Sequence, residues 1–258
     1  MVAIGTLYGI GVGPGDPELL TLKAARLLQH SPAIAYPAGL NGKPGFAEQI
    51  LAQWRTPAQI HLPLHFPYVQ DQAVLTAAWE AAATQVWAYL AQGQDVVFAS
   101  EGDVSFYSTF TYLAQTLLAL QPTAKIEAVP GICSPLAAAA AMGLPLTVRH
   151  QKLVVLPTLY NVDELVSILQ WADVVVLMKV SSVYDRVWAI LAERHLLPQS
   201  YIIEWATLPQ QAVYCAAQTQ PDQPLPYFSL LIVYVTDARL PPILPTPAIE
   251  FATMNQPS

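Results

Sequence analysis

The segment GVGPGDP, residues 11–17, combines residue types that could bring the backbone against a ligand. Glycine permits sharp turns and lets the main chain approach a bound molecule closely. Because the apolar, strand-like run LYGI precedes it, the segment is predicted to turn at the carboxyl end of a strand. Asp16 is expected to cap a helix that has Pro17 at its first position. The pattern therefore predicts a ligand-facing loop, with a plain strand-to-helix turn as the alternative.

Two nucleotide-binding motifs match this segment poorly. A phosphate-binding P-loop needs Lys and then Ser or Thr after its last glycine, but Gly15 is followed by Asp16 and Pro17. A dinucleotide-binding fold needs Gly-x-Gly-x-x-Gly and an acidic residue at the end of the second strand, which here ends in Tyr36-Pro37. The Asp16 carboxylate would also repel phosphate, so a nucleotide is not the expected ligand.

Other residues with possible chemistry are weaker candidates. His61 and His65 are four apart, but Pro63 disrupts a helix there, so no metal site is predicted. Cys133 and Cys215 lie far apart in apolar surroundings and are expected to be buried thiols rather than a disulfide. Basic residues that could meet an anionic ligand, or could simply be solvated, are Lys43, Arg149, His150, Lys152 and Arg186.

The elements that position these residues follow an α/β pattern. Apolar strand-like runs alternate with helical stretches from Leu7 to about Leu144, which predicts a mostly parallel sheet with helices on both faces. After the proline-rich stretch near residue 145, the last three strand patterns lack intervening helices, so a mixed sheet is predicted. We therefore expect two α/β domains, residues 1–146 and 147–238, and a Pro-rich tail, residues 239–258.

Composition narrows the class of protein. The chain has 258 residues, of which 54% are hydrophobic and 11% charged, and this indicates extensive internal interfaces or a subunit contact. The net charge of −7 argues against a nucleic-acid partner. A long uncharged stretch, residues 129–148, is broken by prolines and glycines, so no membrane span is predicted there. The opening MVAIGTLYGI has no export signal, so a cytosolic protein is expected.

Five stretches come in the order and spacing of one known family: GVGPGDPELLTLKAARLL, EGDVSFYSTF, VPGICSPLAAAAAMGLPL, VVLMKV and IEWATLPQQ. Over about residues 4–237 the chain resembles the tetrapyrrole methylase family, the S-adenosylmethionine-dependent enzymes of corrin and sirohaem synthesis. The resemblance implies a two-domain α/β fold, a methyl donor bound in the cleft between the domains, and a homodimer. One departure is Val104, where the family motif ordinarily has proline after Gly-Asp, so a less rigid loop is expected.

The stretches IAYPAGLNGKPGFAEQIL, EGDVSFYSTFTYL and PYFSLLIV resemble most the members that methylate precorrin-2 at C20. The resemblance therefore implies transfer of a methyl group from S-adenosylmethionine to that carbon in cobalamin synthesis, giving precorrin-3A and S-adenosylhomocysteine. The alternatives are the same reaction on cobalt-factor II, methylation of another ring position or of another substrate such as the diphthamide precursor, and a non-catalytic tetrapyrrole-binding protein.

The resemblance also implies roles for individual residues. Asp103 is suited to the donor's ammonium group or to capping the next helix, Ser134 to a donor contact or a helix cap, and Met178 to the adenosine or to strand core. The residues matching donor-binding positions are Pro14, Glu101, Gly102, Asp103, Phe106, Cys133, Ser134, Met178 and Ala206.

For the tetrapyrrole, the expected contacts are Gly13, Tyr36, Lys43, Tyr107 and Arg149. A proton must leave the methylated carbon, and the candidate acceptors by nearness to the motifs are Tyr107, Tyr36 and Glu101, each with a structural role as the alternative. The sequence thus identifies no catalytic residue.

Overall fold

The chain forms two compact units, Met1–Ser134 and Pro135–Ser258. The structure is a computed structural model that describes residues 3–39, 43–67, 69–159 and 161–236. The domain boundary expected after residue 146 stays a prediction, and the expected tail, residues 239–258, lies outside the described residues.

The first unit is built on a parallel sheet. Its elements in chain order are β1 (Thr6–Gly11), α1 (Leu22–His30), β2 (Ala33–Pro37), α2 (Phe46–Leu51), β3 (Ile60–Leu64), α3 (Gln72–Leu90), β4 (Val96–Ser100), α4 (Thr109–Leu120) and β5 (Lys125–Val129). The five strands are hydrogen-bonded in the order β3-β2-β4-β1-β5, and every pair is parallel. The predicted parallel sheet is confirmed.

Helices cover both faces of this sheet, as the alternating sequence pattern requires. Val96 and Phe98 of β4 pack in a cluster with residues of α3 and α4. Val97 and Ala99 of the same strand pack in a second cluster with residues of α1 and α2. All five residues of β4 are buried, and the first four are apolar rather than alternating with polar residues.

Capping residues determine where α1 and α4 begin. Asp16 caps a short 3-10 helix, Pro17–Leu19, with its Oδ1 accepting a 2.8 Å hydrogen bond from the Glu18 N–H, so the predicted cap with Pro17 at the first position is confirmed, and α1 is a separate helix. The reason is Thr21, a second capping residue, whose hydroxyl accepts from the Ala24 N–H and starts α1 afresh. Similarly, α4 starts at Thr109 with Ser108 as its cap, whose hydroxyl accepts from the Phe110 N–H.

The second unit contains a mixed sheet. Its elements are α5 (Ser134–Met142), which starts at the boundary, then β6 (Leu153–Leu156), α6 (Val162–Ile168), β7 (Val174–Met178), α7 (Tyr184–Glu193), β8 (Ser200–Glu204), β9 (Ala212–Cys215) and β10 (Ser229–Tyr234). The strand order is β6-β7-β10-β8-β9. Only β6 and β7 pair in parallel, and the other three pairs are antiparallel, as predicted for the last three strands.

This sheet also packs on both faces. Val175 and Leu177 of β7 belong to a cluster with α6 and α7. Val174 and Val176 belong to a cluster on the opposite face, which includes Ala138, Ala139 and Met142 of α5. Among the residues that the structure describes, no helix has both the length and the apolar character needed to cross a bilayer.

Candidate functional site

Three glycine-containing loops meet at the carboxyl edge of the first sheet. They follow β1, β4 and β5, which are neighbours in that sheet, so their ends lie side by side. Gly13 and Gly102 join two of the loops through a pair of main-chain hydrogen bonds, 2.8 Å from the Gly102 N–H to the Gly13 oxygen and 3.2 Å in the other direction. Both glycines have positive φ, 79° and 67°, a conformation that other residues rarely adopt.

The third loop touches the other two without intervening side chains. A Cβ on Gly131 would lie 2.3 Å from the Gly102 oxygen and 2.6 Å from the Gly11 Cα. A Cβ on Gly11 would lie 2.5 Å from the same oxygen. Since these are all backbone atoms, only glycine permits the contact at these two positions. We call Gly11, Gly13, Gly102 and Gly131 the glycine junction.

Asp103 fixes the junction by hydrogen bonds to two of its loops. Its Oδ2 accepts a 2.7 Å hydrogen bond from the Gly131 N–H, and its Oδ1 accepts from the N–H and the hydroxyl of Ser105. Burial alone would raise the pKa of this carboxyl, but the hydrogen bonds from Ser105 and Gly131 outweigh it and lower the pKa. Asp103 therefore carries a negative charge at neutral pH. The alternative that it caps the next helix is wrong, because Ser108 caps α4.

Cys133 and Ser134 follow the junction directly. A Cβ on Gly102 would lie 3.8 Å from the Cα of Cys133, so the structure brings this predicted residue beside the junction. Ser134 is half-buried and is itself the first residue of α5, so it does not occupy the capping position before the helix. Cys133 and Cys215 are free thiols but only partly buried, whereas the sequence led us to expect full burial.

The loop after β4 presents aromatic side chains next to the junction. Phe106 is half-buried, and its ring meets that of Tyr107 edge-on, with 4.8 Å between the ring centroids. Tyr107 is 59% exposed and has a φ of 54°, and this left-handed backbone explains why α4 does not begin before it. Val104 occupies the position where the resembled family has proline, and its side chain is buried in the core with α3 and α4. Glu101 is exposed.

The loop after β1 holds the remaining predicted residues of this edge. Gly13 is buried in the junction, and Pro14, next in the chain, is half-buried. The structure therefore places Gly13, Gly102, Asp103 and Cys133 together, within the first unit.

In the second unit, the structure brings Met178 and Ala206 into one apolar cluster. Met178 ends β7, and Ala206 lies two residues beyond the end of β8. Both pack against the cluster that includes α5, with Ala206 only 8% exposed. The alternative of strand core for Met178 is compatible with this position, but its side chain is only partly buried.

Tyr36 is not at the junction and lies in the core that packs on α1 and α2. Its hydroxyl is 3.5 Å from Oε1 of Glu48, which also forms a 3.1 Å salt bridge with Arg55. Burial, followed by the negative charge of Glu48, raises the pKa of this phenol.

The predicted cations lie at the surface of their units. Lys43 belongs to the first unit, and Arg149 belongs to the second and has a left-handed φ of 52°. His150, Lys152 and Arg186 are exposed as well. Within the described ranges, no group of three or more His, Cys, Asp or Glu side chains could hold a metal ion.

Sequence reasoning missed one residue of the junction and one residue that holds Asp103 beside it. Gly131 stands in the quoted VPG stretch, and a glycine directly after a predicted strand was a signal for close backbone approach. Ser105, whose main chain and hydroxyl both bond to Asp103, had no such signal.

The groups at and beside the glycine junction determine what this edge of the sheet could bind. The junction packs three loops backbone to backbone next to an ionised carboxylate and two aromatic rings. It is suited to binding and orienting a ligand rather than to attacking it.

Fold and site together define a two-unit α/β protein with a glycine-containing candidate site at the edge of its parallel sheet. Residues 6–219 match the profile of the Tetrapyrrole (Corrin/Porphyrin) Methylases. The chain belongs to this family.

Two full-length relatives are named for one reaction. The cobalt-precorrin-2 C(20)-methyltransferase of Salmonella typhimurium is 34% identical over 230 residues, covering 89% of this chain and 96% of that protein. The precorrin-2 C(20)-methyltransferase of a Sinorhizobium species is 33% identical over 240 residues, covering 90% and 96%.

A solved structure shares the fold. The uroporphyrin-III C-methyl transferase of Thermus thermophilus, complexed with S-adenyl homocysteine, matches with a TM-score of 0.60 and 22% identity over 89% of this chain and 92% of that one. This likeness confirms the predicted fold class.

Proposed function

We propose that this chain is an S-adenosylmethionine-dependent C-methyltransferase that methylates precorrin-2 at C20 and gives precorrin-3A. The assignment of S-adenosylmethionine as the methyl donor rests on the glycine junction and its ionised Asp103. The assignment of precorrin-2 as the substrate is supported by the similarity of the chain to two C(20)-methyltransferases over nearly their whole length.

The residues present fit the donor. The glycines at positions 11 and 131 let the three loops pack closely enough for Asp103 to be held at this edge by the Gly131 N–H. The Asp103 carboxylate uses three of its roughly four lone-pair positions on Ser105 and Gly131, which leaves one for an ammonium group. The related protein of the same fold that was solved with S-adenyl homocysteine supports this choice.

Two residues of the second unit fit the apolar part of the donor. Ala206 has the smallest side chain with a Cβ, and Met178 offers a flexible thioether that is partly exposed beside it in one cluster. We propose that these two residues contact the adenosine. Their apolar surroundings exclude water, which suits a reaction in which a cationic sulfur centre loses its charge.

The donor, when bound, supplies an electrophilic methyl group on a sulfonium sulfur. The conjugated tetrapyrrole is itself the nucleophile, so the protein has to hold C20 in line with the methyl group and the sulfur. C20 gains the methyl group and loses a proton. Pro14 and Gly13 line the junction from the β1 side, and Tyr107 presents an exposed ring on which a flat substrate could stack.

We keep Glu101 and Tyr107 as candidate proton acceptors. Both are exposed in the loop after β4, next to the junction. Tyr36 is a poorer candidate because it is 3% exposed and its hydroxyl faces the Glu48 carboxylate.

The carboxylates of the substrate need cations. We propose Lys43 and Arg149 for this role, because both are exposed and neither lies in a helix or strand. Arg149 also has a left-handed backbone, a strained state that is common at binding sites.

A second candidate substrate is the cobalt-loaded tetrapyrrole, because one of the two relatives carries cobalt in its name and the identities, 34% and 33%, do not separate them.

The test is anaerobic incubation of the purified protein and S-adenosylmethionine with precorrin-2 and, separately, cobalt-factor II, followed by mass spectrometry. One added methyl group on precorrin-2 alone is the expected result. A gain on the cobalt form alone would assign the other substrate, and no gain on either would overturn the proposed reaction.

We further propose that the enzyme is a cytosolic homodimer. The unusually apolar composition and exposed apolar side chains, such as Tyr112 and Leu120 of α4, support a subunit contact. Light scattering should give twice the chain mass of 28.1 kDa, and cell fractionation should recover the protein with the cytosol. A mass of 28.1 kDa would contradict the dimer.

A further inference from the structure

The loop that joins β8 to β9, residues 205–211, has a strained backbone on both sides of Ala206. Trp205 has a φ of 49° and Thr207 a φ of 71°, although neither is glycine. The left-handed region is particularly unfavourable for a β-branched residue such as threonine. Such conformations persist only where the surrounding structure holds them, and they concentrate at functional sites.

Hydrogen bonds hold each strained residue. The Trp205 N–H donates to the Phe228 oxygen at 2.9 Å, which ties the start of the loop to the residue before β10. The Thr207 N–H donates to Oε1 of Gln211 at 2.7 Å. Gln211 is itself fixed, because its N–H donates to the Leu208 oxygen at 2.9 Å.

Gln211 is well placed to hold this loop. It directly precedes β9, whose first residue, Ala212, is in register with Glu204 at the end of β8. The Gln211 side chain thus connects the start of β9 to the strained turn that follows β8. Between the two strained residues, Ala206 is directed into the apolar cluster that also contacts Met178.

We infer that Gln211 is a positioning residue for the methyl donor: its side-chain oxygen holds the Thr207 turn, and the turn holds Ala206 against the adenosine. This inference rests on the proposed function, since Ala206 is assigned to the donor there. Without the Gln211 oxygen, Thr207 can relax to a negative φ, and the main chain at Ala206 turns with it. Gln211 acts through the loop and touches no reacting atom.

The test compares three variants of the full-length protein by calorimetric titration with S-adenosylhomocysteine. Gln211→Ala removes the acceptor and should raise the Kd about tenfold, the effect of losing one well-formed hydrogen bond. Gln211→Glu keeps a side-chain oxygen for the Thr207 N–H and should restore nearly wild-type affinity. Gln210→Ala, an exposed glutamine next in the chain, is the matched control and should bind like the wild type. Hydrogen exchange at the Thr207 amide should be faster in Gln211→Ala alone.

The outcomes separate this inference from the proposed function. A wild-type protein that does not bind S-adenosylhomocysteine would overturn the proposed function, and the donor-positioning role with it. A wild type that binds, together with a Gln211→Ala protein of equal affinity, would overturn the inference alone. A Gln211→Glu protein as weak as Gln211→Ala would also overturn it, because the oxygen would then not be the essential group.

Discussion

Replacing Gly131 by alanine tests the glycine junction most directly. Gly131 lies outside the left-handed region, so alanine is acceptable there for the backbone itself. The added Cβ, however, would lie 2.3 Å from the Gly102 oxygen, 2.6 Å from the Gly11 Cα and 2.7 Å from the Gly11 carbonyl carbon. Because all three atoms belong to the main chain, no side chain can rotate away to make room.

The size of the effect follows from these distances. The loops must separate by about 1 Å to reach an ordinary contact, and overpacking of this kind costs about 3 kcal/mol of unfolding free energy. The hydrogen bonds that cross the junction, including the one from the Gly131 N–H to Asp103, move with the loops. A misplacement of about 1 Å at a binding site can reduce activity about 100-fold.

The assay combines urea unfolding with calorimetric titration of S-adenosylhomocysteine. Gly93→Ala is the matched control, because Gly93 has a φ of 80° in the loop between α3 and β4 and its replacement costs about 1–2 kcal/mol of backbone strain away from the junction. Gly93→Ala should lose stability and keep its affinity, while Gly131→Ala should lose both. A Gly131→Ala protein with wild-type stability and affinity would show that the three loops do not touch as described.

Two further predictions concern Asp103 and Ala206. Asp103→Asn should weaken binding of S-adenosylhomocysteine and lower stability at neutral pH. The hydrogen bonds lower the pKa of Asp103 in the folded state below 3.8. The stabilisation by Asp103 is therefore present above about pH 3.8 and is lost as the pH falls through the folded-state pKa. The urea midpoints of variant and wild type should accordingly converge in acid. A gap in midpoint that does not change with pH would contradict this. Ala206→Leu should raise the Kd about tenfold by filling the space beside Met178, whereas Ala206→Ser should not; equal affinities for all three proteins would remove Ala206 from the donor site.

The fold class could be predicted from the sequence because it depends on local patterns of apolar and polar residues. The apolar runs of β1 and β4 and the helical patterns between them specify a parallel sheet by their order alone. The three strand patterns without helices near the end likewise predicted antiparallel pairing, which β8, β9 and β10 confirm.

The details that the sequence did not provide depend on distant or unusual contacts. The hydrogen bond from Gly131 to Asp103 joins residues 28 positions apart, and no local pattern encodes it. Tyr107 and Thr207 adopt left-handed backbones that threonine and tyrosine rarely show, so propensity predicts the wrong conformation there. These left-handed conformations persist only because contacts in the folded chain hold them.

The position of β10 in the second sheet has a consequence for the order in which the chain folds during synthesis. The sheet of the first unit is complete once residue 129 has left the ribosome, because β5 is its last strand. In the second unit the last strand to be made, β10, pairs with both β7 and β8 at the centre of the sheet. Until residue 234 emerges, two buried strands have open edges on which other chains could pair. A nascent chain is therefore most exposed to aggregation between the completion of β7 at residue 178 and that of β10 at residue 234.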